Sequence, residues 1–381
     1  MLTCQRDLFD LPRDMAYLNA AFMGPLPASV VAAGHAGVAV KARPWEVSVD
    51  AFFDPVEKAR SLYAGLTGAD AEGISVVPAV SYGMAVAAAN LPLERGQRIL
   101  VLAEQFPSNL YPWRKKAARD GGDLFTVARR ADGDWTKAVL EQLDDRVGIV
   151  ALPQAHWSDG GLLDLERIGA VCRSMGAALV IDGTQSFGAL PFDTAKVDPD
   201  FAVAATYKWM LGPYSMGFLY VAPRHRKGQP LEDGWICREG SRDMSRLVDY
   251  TDAMDAGARR FDVGERSNFA LMPMVISAME QMSAWTPMAI SDYVEKLTDR
   301  IVAETSVLGC MAPGKGIRSP HLLGLSLPEG VAVGPLAARL AEARVVLSVR
   351  GSRLRVSPHV YNDDQDVDRL IEVLSDALKG C

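Results

Sequence analysis

Seven short apolar runs recur between residues 74 and 221 with helical patterns between them, and this alternation constrains the chain more than any other feature. The runs are Ile74–Val77, Arg98–Leu102, Leu124–Val127, Val147–Leu152, Ala178–Ile181, Phe201–Ala205 and Gly217–Val221. Val, Ile, Leu and Ala dominate them, with little polar alternation. Strands buried on both faces of a mostly parallel sheet read this way. Helices fill the gaps: Asp164 is placed to cap Leu165–Ser174, and Gly176 stands near the end of that helix. The pattern predicts a layered α/β fold with a seven-stranded, mostly parallel sheet.

From about residue 260 the texture changes. Helical segments Met272–Trp285 and Ala289–Leu308 precede short strands near Leu322–Leu327, Val345–Val349 and Arg353–Ser357, and Asp364–Leu378 closes as a helix. With 381 residues the chain is long enough for two cores. The expected division is an N-terminal segment, 1–20, packing with the small domain or the active site; a large domain, 21–258; and a smaller C-terminal α+β domain, 259–381.

Charge and composition remove several function classes. The net charge is −7, and basic residues come only in short runs such as Lys115-Lys116 and Arg224-His225-Arg226-Lys227. That reads as solvated surface, with no nucleic-acid partner expected. Cys4, Cys172, Cys237, Cys310 and Cys381 are far apart, odd in number and contain no C-x-x-C; the histidines are scattered without an H-E-x-x-H pair. Neither a disulfide framework nor a metal site is expected. The N-terminal stretch MLTCQRDLFDLPRDM lacks the apolar core of a signal peptide. The uncharged run Gly73–Leu93 has the length of a membrane span, but Pro78, Ser81, Tyr82, Gly83 and Asn90 make it read as strand, turn and helix. A cytoplasmic protein without membrane contact is expected.

Ligands of open parallel sheets sit beyond the carboxyl ends of the strands. No G-x-G-x-x-G or G-x-x-x-x-G-K-[ST] follows a strand, which removes the main support for a nicotinamide-dependent oxidoreductase or a P-loop protein. The first run leads into Pro78-Ala79-Val80-Ser81 and a helix. Backbone N–H groups there, with the Ser81 hydroxyl, can form an anion site; an ordinary capping serine gives the same sequence. The second leads to Phe106, able to stack on a flat ring or simply to fill core. The fourth leads to the polar cluster His156-Trp157-Ser158-Asp159-Gly160, a site lining or a glycine turn. The fifth ends at Asp182, and a carboxylate at the end of a buried strand needs a partner. A pyridinium N–H would be one, and the contact would keep a ring nitrogen protonated so that the ring accepts electrons; a turn aspartate is the other reading. The sixth ends in Tyr207-Lys208-Trp209. Burial of Lys208 would depress its pKa and favour imine chemistry; a snorkelling lysine is the alternative.

In this order the segments resemble the class V aminotransferase branch of the fold-type I pyridoxal-phosphate (PLP) enzymes, which includes cysteine desulfurases, kynureninases and isopenicillin-N-epimerase-like proteins. The resemblance runs from Tyr17-Leu18-Asn19-Ala20-Ala21 to Leu354-Arg355-Val356-Ser357-Pro358-His359-Val360-Tyr361-Asn362. Its sharpest element is D-x-x-Q at Asp182 and Gln185, followed by Y-K-W-x-x-G-P beginning at Tyr207. The resemblance implies pyridoxal 5'-phosphate as cofactor, held by Lys208 as a Schiff base, with Lys208 also shuttling the substrate Cα proton. It implies that Asp182 pairs with the pyridine nitrogen, Gln185 contacts the ring hydroxyl oxygen and Phe106 stacks on the ring. Val80, Ser81 and Tyr207 would hold the phosphate, and Ser158 is taken with them as a cofactor contact. Gly264-Glu265-Arg266-Ser267-Asn268 looks like the segment that reaches the phosphate from a neighbouring subunit, with Ser267 in place of the usual threonine. A homodimer with shared active sites follows from that match.

Arg355 matches the arginine that clamps the substrate α-carboxylate. In a strand Arg353, Arg355 and Ser357 share a face, and a guanidinium binds a carboxylate through two bonds. Asn19 is assigned to substrate binding, and side-chain selectivity is expected to depend on Asn19, Phe22, Trp157 and Tyr214. Where cysteine desulfurases carry a mobile loop cysteine, Ser348–Arg355 reads SVRGSRLR. A persulfide mechanism needs a thiolate, so that activity is disfavoured. The expected function is a PLP-dependent aminotransferase acting on an amino acid. A carbon–sulfur or kynureninase-like lyase, an epimerase and a non-catalytic partner module of the same fold are the alternatives.

Overall fold

The computed structural model describes residues 2–378. Twelve strands run in chain order: β1 (Ala16–Tyr17), β2 (Ile74–Val77), β3 (Arg98–Leu102), β4 (Asp123–Val127), β5 (Val147–Pro153), β6 (Ala178–Asp182), β7 (Phe201–Ala205), β8 (Gly217–Val221), β9 (Leu323–Ser326), β10 (Val345–Val346), β11 (Ser348–Arg350) and β12 (Arg353–Val356). The helices are α1 (Ala28–Val40), α2 (Asp54–Thr67), α3 (Val80–Asn90), α4 (Tyr111–Asp120), α5 (Trp135–Leu140), α6 (Leu165–Met175), α7 (Thr194–Val197), α8 (Leu271–Trp285), α9 (Pro287–Ser306), α10 (Val333–Glu342) and α11 (Asp364–Leu378).

All seven apolar runs become the strands of one sheet, ordered β2-β8-β7-β6-β5-β3-β4. It is mixed: β8 runs antiparallel to both its neighbours, and the other pairings are parallel. The strands lack polar alternation because both faces are covered. In β6, Leu179 and Ile181 enter the core on one face while Val180 enters the core on the other; Ala202 and Ala204 of β7 alternate in the same way with Phe201, Val203 and Ala205. Local signals act as read from the sequence. The Asp164 carboxylate caps α6 by accepting from the Arg167 amide, and Gly176 ends the helix in a left-handed conformation, φ 73°.

A second core gathers Leu297 and Ile301 of α9, Leu336 and Leu340 of α10, and Leu370 and Leu374 of α11 around the three-stranded sheet β11-β12-β9. The N-terminal segment joins this part: β1 pairs in parallel with β10, and Arg6 bonds Asp366 at 3.0 Å, both buried. Two expectations change here. The single strand expected at Val345–Val349 divides, β10 pairing with β1 and β11 with β12. Helix α8, which the change in texture places with the C-terminal part, instead buries Met272, Val275, Met279 and Met282 in the core of the large sheet, against α1 and α2. Helical periodicity shows that a face is buried but not against which layer.

Candidate active site

Strand parity brings the site together. Pro153 at the end of β5, Asp182 at the end of β6 and Ala205 at the end of β7 all line a cavity of about 280 Å³, together with Val80 and Ser81 at the start of α3, Gln105, Phe106, Thr184, Gln185, Tyr207 and Lys208. Val180 of β6 and Val203 of β7 belong to the core beneath α3. Asp182 and Ala205, two residues further along each strand, therefore face the same side.

Lys208 follows β7 on a loop fixed from several directions. The Thr206 hydroxyl donates to the carbonyls of Pro213 (2.9 Å) and Met216 (3.0 Å). The Gly24 amide donates to the Tyr207 carbonyl at 2.9 Å. Trp209 Nε1 donates to Gln185 Oε1 at 2.9 Å, and the Trp209 carbonyl lies 3.0 Å from His359 Nε2. Leu211 and Ser215 hold left-handed backbone, φ 53° and 65°, a costly conformation for residues with side chains that persists where the surroundings enforce it. The Lys208 amine lies 5.3 Å from the centre of the Phe106 ring and 5.4 Å from that of Tyr207. Burial lowers its pKa to about 8, against an opposing pull from Asp182.

The Asp182 carboxylate is buried, and burial raises its pKa; Oδ1 accepts from the Thr184 amide at 3.0 Å. Arg355 is 1% exposed. One Nη donates to the Trp157 carbonyl at 3.0 Å and the other to the Ser348 hydroxyl at 3.4 Å, while Nε has no partner. Burial lowers the pKa of this guanidinium to about 9. Arg355 opens onto an adjoining cavity that shares Phe106, Trp157, Gln185, Tyr207 and Lys208 with the first.

Several residues singled out in the sequence lie elsewhere. Ser158 does not line the cavity; its hydroxyl meets His156 Nδ1 at 3.1 Å, and His156 stacks on Trp135. Of that polar cluster only Trp157 faces the site, because the tight turn sends the other side chains inward. Asn19 stands behind Arg355, its Oδ1 accepting from the Ser348 hydroxyl at 2.7 Å, so it acts on the guanidinium through Ser348. Both ends of the Gln185 amide are engaged, Nε2 with the Ala21 carbonyl at 3.0 Å and Oε1 with Trp209, leaving one N–H to spare. Ser267 lies in a second cavity with Phe52, Trp235 and Gly264, away from Lys208 of its own chain. Sequence reading missed Gln105, Thr184 and Arg350. Gln105 Nε2 is buried without a partner, while the Thr184 side chain stands beside the Asp182 carboxylate; both residues lie shortly after strand ends, the one signal that pointed to them.

A family model described as aminotransferase class-V matches residues 41–246. The chain belongs to this family. Class-V aminotransferase relatives include a kynureninase of Deinococcus radiodurans, 34% identical over 69% of this chain and 64% of its own length. The isopenicillin N epimerase of Streptomyces clavuligerus is 25% identical over 95% of this chain and 94% of its own. Among solved structures, a C-DES mutant with glycine covalently linked to its PLP cofactor superposes with a TM-score of 0.87 at 20% identity, covering 98% of this chain and all of that one. The chain accordingly shares the α/β fold of that PLP-carrying structure.

The residues present fit that cofactor. A buried carboxylate and a buried amine that attract each other without a direct ion pair, and the unpartnered Gln105 Nε2, converge on one cavity beside an aromatic ring and a helix start. Each is unfavourable alone; together they match a flat, polar, anionic group.

Proposed function

We propose that this chain transforms an α-amino acid by moving a proton at its Cα, most directly as an aminotransferase. Lys208 would hold PLP covalently, Asp182 would hold the proton on the pyridine nitrogen and Phe106 would lie against the ring. Val80 and Ser81 at the start of α3, with Tyr207, would take the phosphate. When bound, PLP supplies an electron-accepting ring that stabilises negative charge at Cα. The other roles belong to this chain's side chains. The Arg355 guanidinium holds the substrate carboxylate and so fixes which Cα bond faces the reacting centre. The Lys208 amine would take up the proton from the substrate Cα and hold it for its return. Trp157 and Phe106 exclude water from that path.

The observation carrying this reading is Lys208 itself: a buried amine of lowered pKa, facing Asp182 and Phe106, on a loop held rigid from both sides. The test is to add a panel of amino acids to the holoenzyme, follow the visible absorbance and identify products by mass spectrometry. Amino-group transfer whose repeated turnover requires a keto-acid acceptor supports the aminotransferase reading; keto acid formed over many turnovers without an acceptor, beyond one equivalent per active site, overturns it. An absorbance unchanged across the whole panel favours a non-catalytic module. A carbon–carbon lyase is the second reading, favoured by the 34% identity to a kynureninase and by Phe106 and Tyr207 in the cavity. Persulfide chemistry has no support among the described residues, none of whose cysteines lines either cavity beside Lys208.

The same proposal includes a homodimer in which Ser267 of each copy serves the other's phosphate site. Its place in a separate cavity of its own chain supports this, and a monomer by light scattering would exclude it. A cytoplasmic location fits the free thiols of Cys4, Cys172, Cys237 and Cys310; Cys381 lies outside the described residues. Among those residues no helix is long and apolar enough to cross a membrane.

A further inference from the structure

The cavity beside Lys208 holds a second guanidinium. Arg350 ends β11, immediately before the Gly351-Ser352 turn, and lines the same cavity as Arg355, Phe22 and Tyr214. Its guanidinium lies over the Trp157 ring at 5.4 Å, one Nη donates to the Val349 carbonyl at 2.8 Å, and Nε is buried without a partner. Neither Arg350 nor Arg355 pairs with a carboxylate among the described residues. This half of the cavity gathers Lys208, Arg350 and Arg355, and no Asp or Glu lines it.

Cations brought together away from water repel one another and lose hydration. The arrangement is favourable only when anions arrive from outside. One substrate carboxylate accounts for Arg355 and leaves Arg350 without a counter-charge. Trp157 ties the two positions together: its carbonyl accepts from Arg355, its ring supports Arg350, and its Nε1 donates to the Glu104 carbonyl at 2.6 Å. Arg350 is half-buried, so it can meet a group on a substrate side chain while Arg355 holds the α-carboxylate at the deeper position.

We propose that Arg350 is a specificity-determining residue that binds a second anionic group, so that the site selects amino acids carrying a side-chain carboxylate. This rests on Arg355 holding the α-carboxylate in a PLP-loaded site. The test is to titrate the holoenzyme with aspartate, glutamate and 2-aminoadipate, and with the neutral norvaline and norleucine, following the visible absorbance to obtain each Kd. The best acid is expected to bind about 10- to 100-fold more tightly than the neutral amino acids, the size of one charge-assisted pair. Arg350→Gln is expected to collapse that preference ratio, and Arg350→Lys to keep part of it. Equal affinities in the wild-type protein overturn the role of Arg350 whether or not the variants fold, and so does a preference that Arg350→Gln leaves intact. A holoenzyme that responds to none of these amino acids overturns the underlying reading as well, which separates the two failures.

Discussion

Lys208 is held between opposing influences. Burial brings its pKa down to about 8 from an ordinary 10.5, Asp182 pulls it up, and Arg355 and Arg350 push it down. Near neutrality a useful fraction of the amine is then unprotonated, the form that attacks a carbonyl carbon and accepts a Cα proton. The same shift alters stability in the cofactor-free protein. Between pH 8 and 10.5 the unfolded chain binds more protons than the folded one, so stability rises with pH across that window and the penalty is fully present below it. Lys208→Met in cofactor-free protein is expected to add about 2–4 kcal/mol at pH 7, a gain that shrinks above pH 8, as measured by denaturant unfolding at both pH values. No gain at pH 7 would mean that the amine is hydrated. Arg355→Ala is expected to weaken amino-acid binding by about 2–5 kcal/mol, read as a raised KM; an unchanged KM would remove Arg355 from the carboxylate role.

Helix α3 carries its N-terminus to the cavity because Gly83 lets it approach β7. A Cβ at Gly83 would stand 2.7 Å from Val203 Cγ2. Gly83→Val is expected to cost about 1–3 kcal/mol by overpacking and to loosen PLP by shifting Val80 and Ser81, checked by thermal unfolding and by cofactor release on dilution. Retention of PLP at wild-type affinity in the destabilised variant would remove the start of α3 from phosphate binding. The strands themselves were legible in the sequence, since a strand buried on both faces is a continuous apolar run. Residues directly after those runs were legible for the same reason, and Asp182, Phe106 and Lys208 do share one cavity. Ser158 and Asn19 were not, because the direction of a side chain after a tight turn depends on backbone angles that composition does not encode. Arg350 went unnoticed because its significance comes from Trp157, which is remote in sequence and meets it only once β11 folds against β12.

At the scale of the whole molecule, the two cores are joined through buried histidines that also brace the site. His321 Nε2 lies 2.6 Å from the Gln185 carbonyl, and His359 Nε2 lies 3.0 Å from that of Trp209. Burial lowers their pKa values to about 3 and about 4, and that of His156 to about 4, from an ordinary 6.5. Below pH 6.5 the unfolded chain takes up protons that these folded imidazoles refuse, so stability falls as the pH drops toward 4. Going from pH 7 to pH 5 is expected to cost about 2 kcal/mol for each of His321 and His359, and less for His156, whose Nδ1 lies 3.0 Å from the Asp159 carboxylate, read from urea unfolding; equal stability at the two pH values would contradict their neutral burial. The sequence announced a change of texture near residue 260 but not that α8 would rejoin the large sheet, since the choice between two apolar layers is made by tertiary packing. One bond, the C=N linkage to Lys208, decides the chemistry, and it can be trapped. Borohydride reduction of the holoenzyme converts a C=N linkage into a stable amine, and digestion with mass spectrometry then locates the label. The pyridoxyl group is expected on Lys208; a label on another lysine, or an unmodified Lys208 peptide from protein that keeps its cofactor, would contradict a Schiff base there.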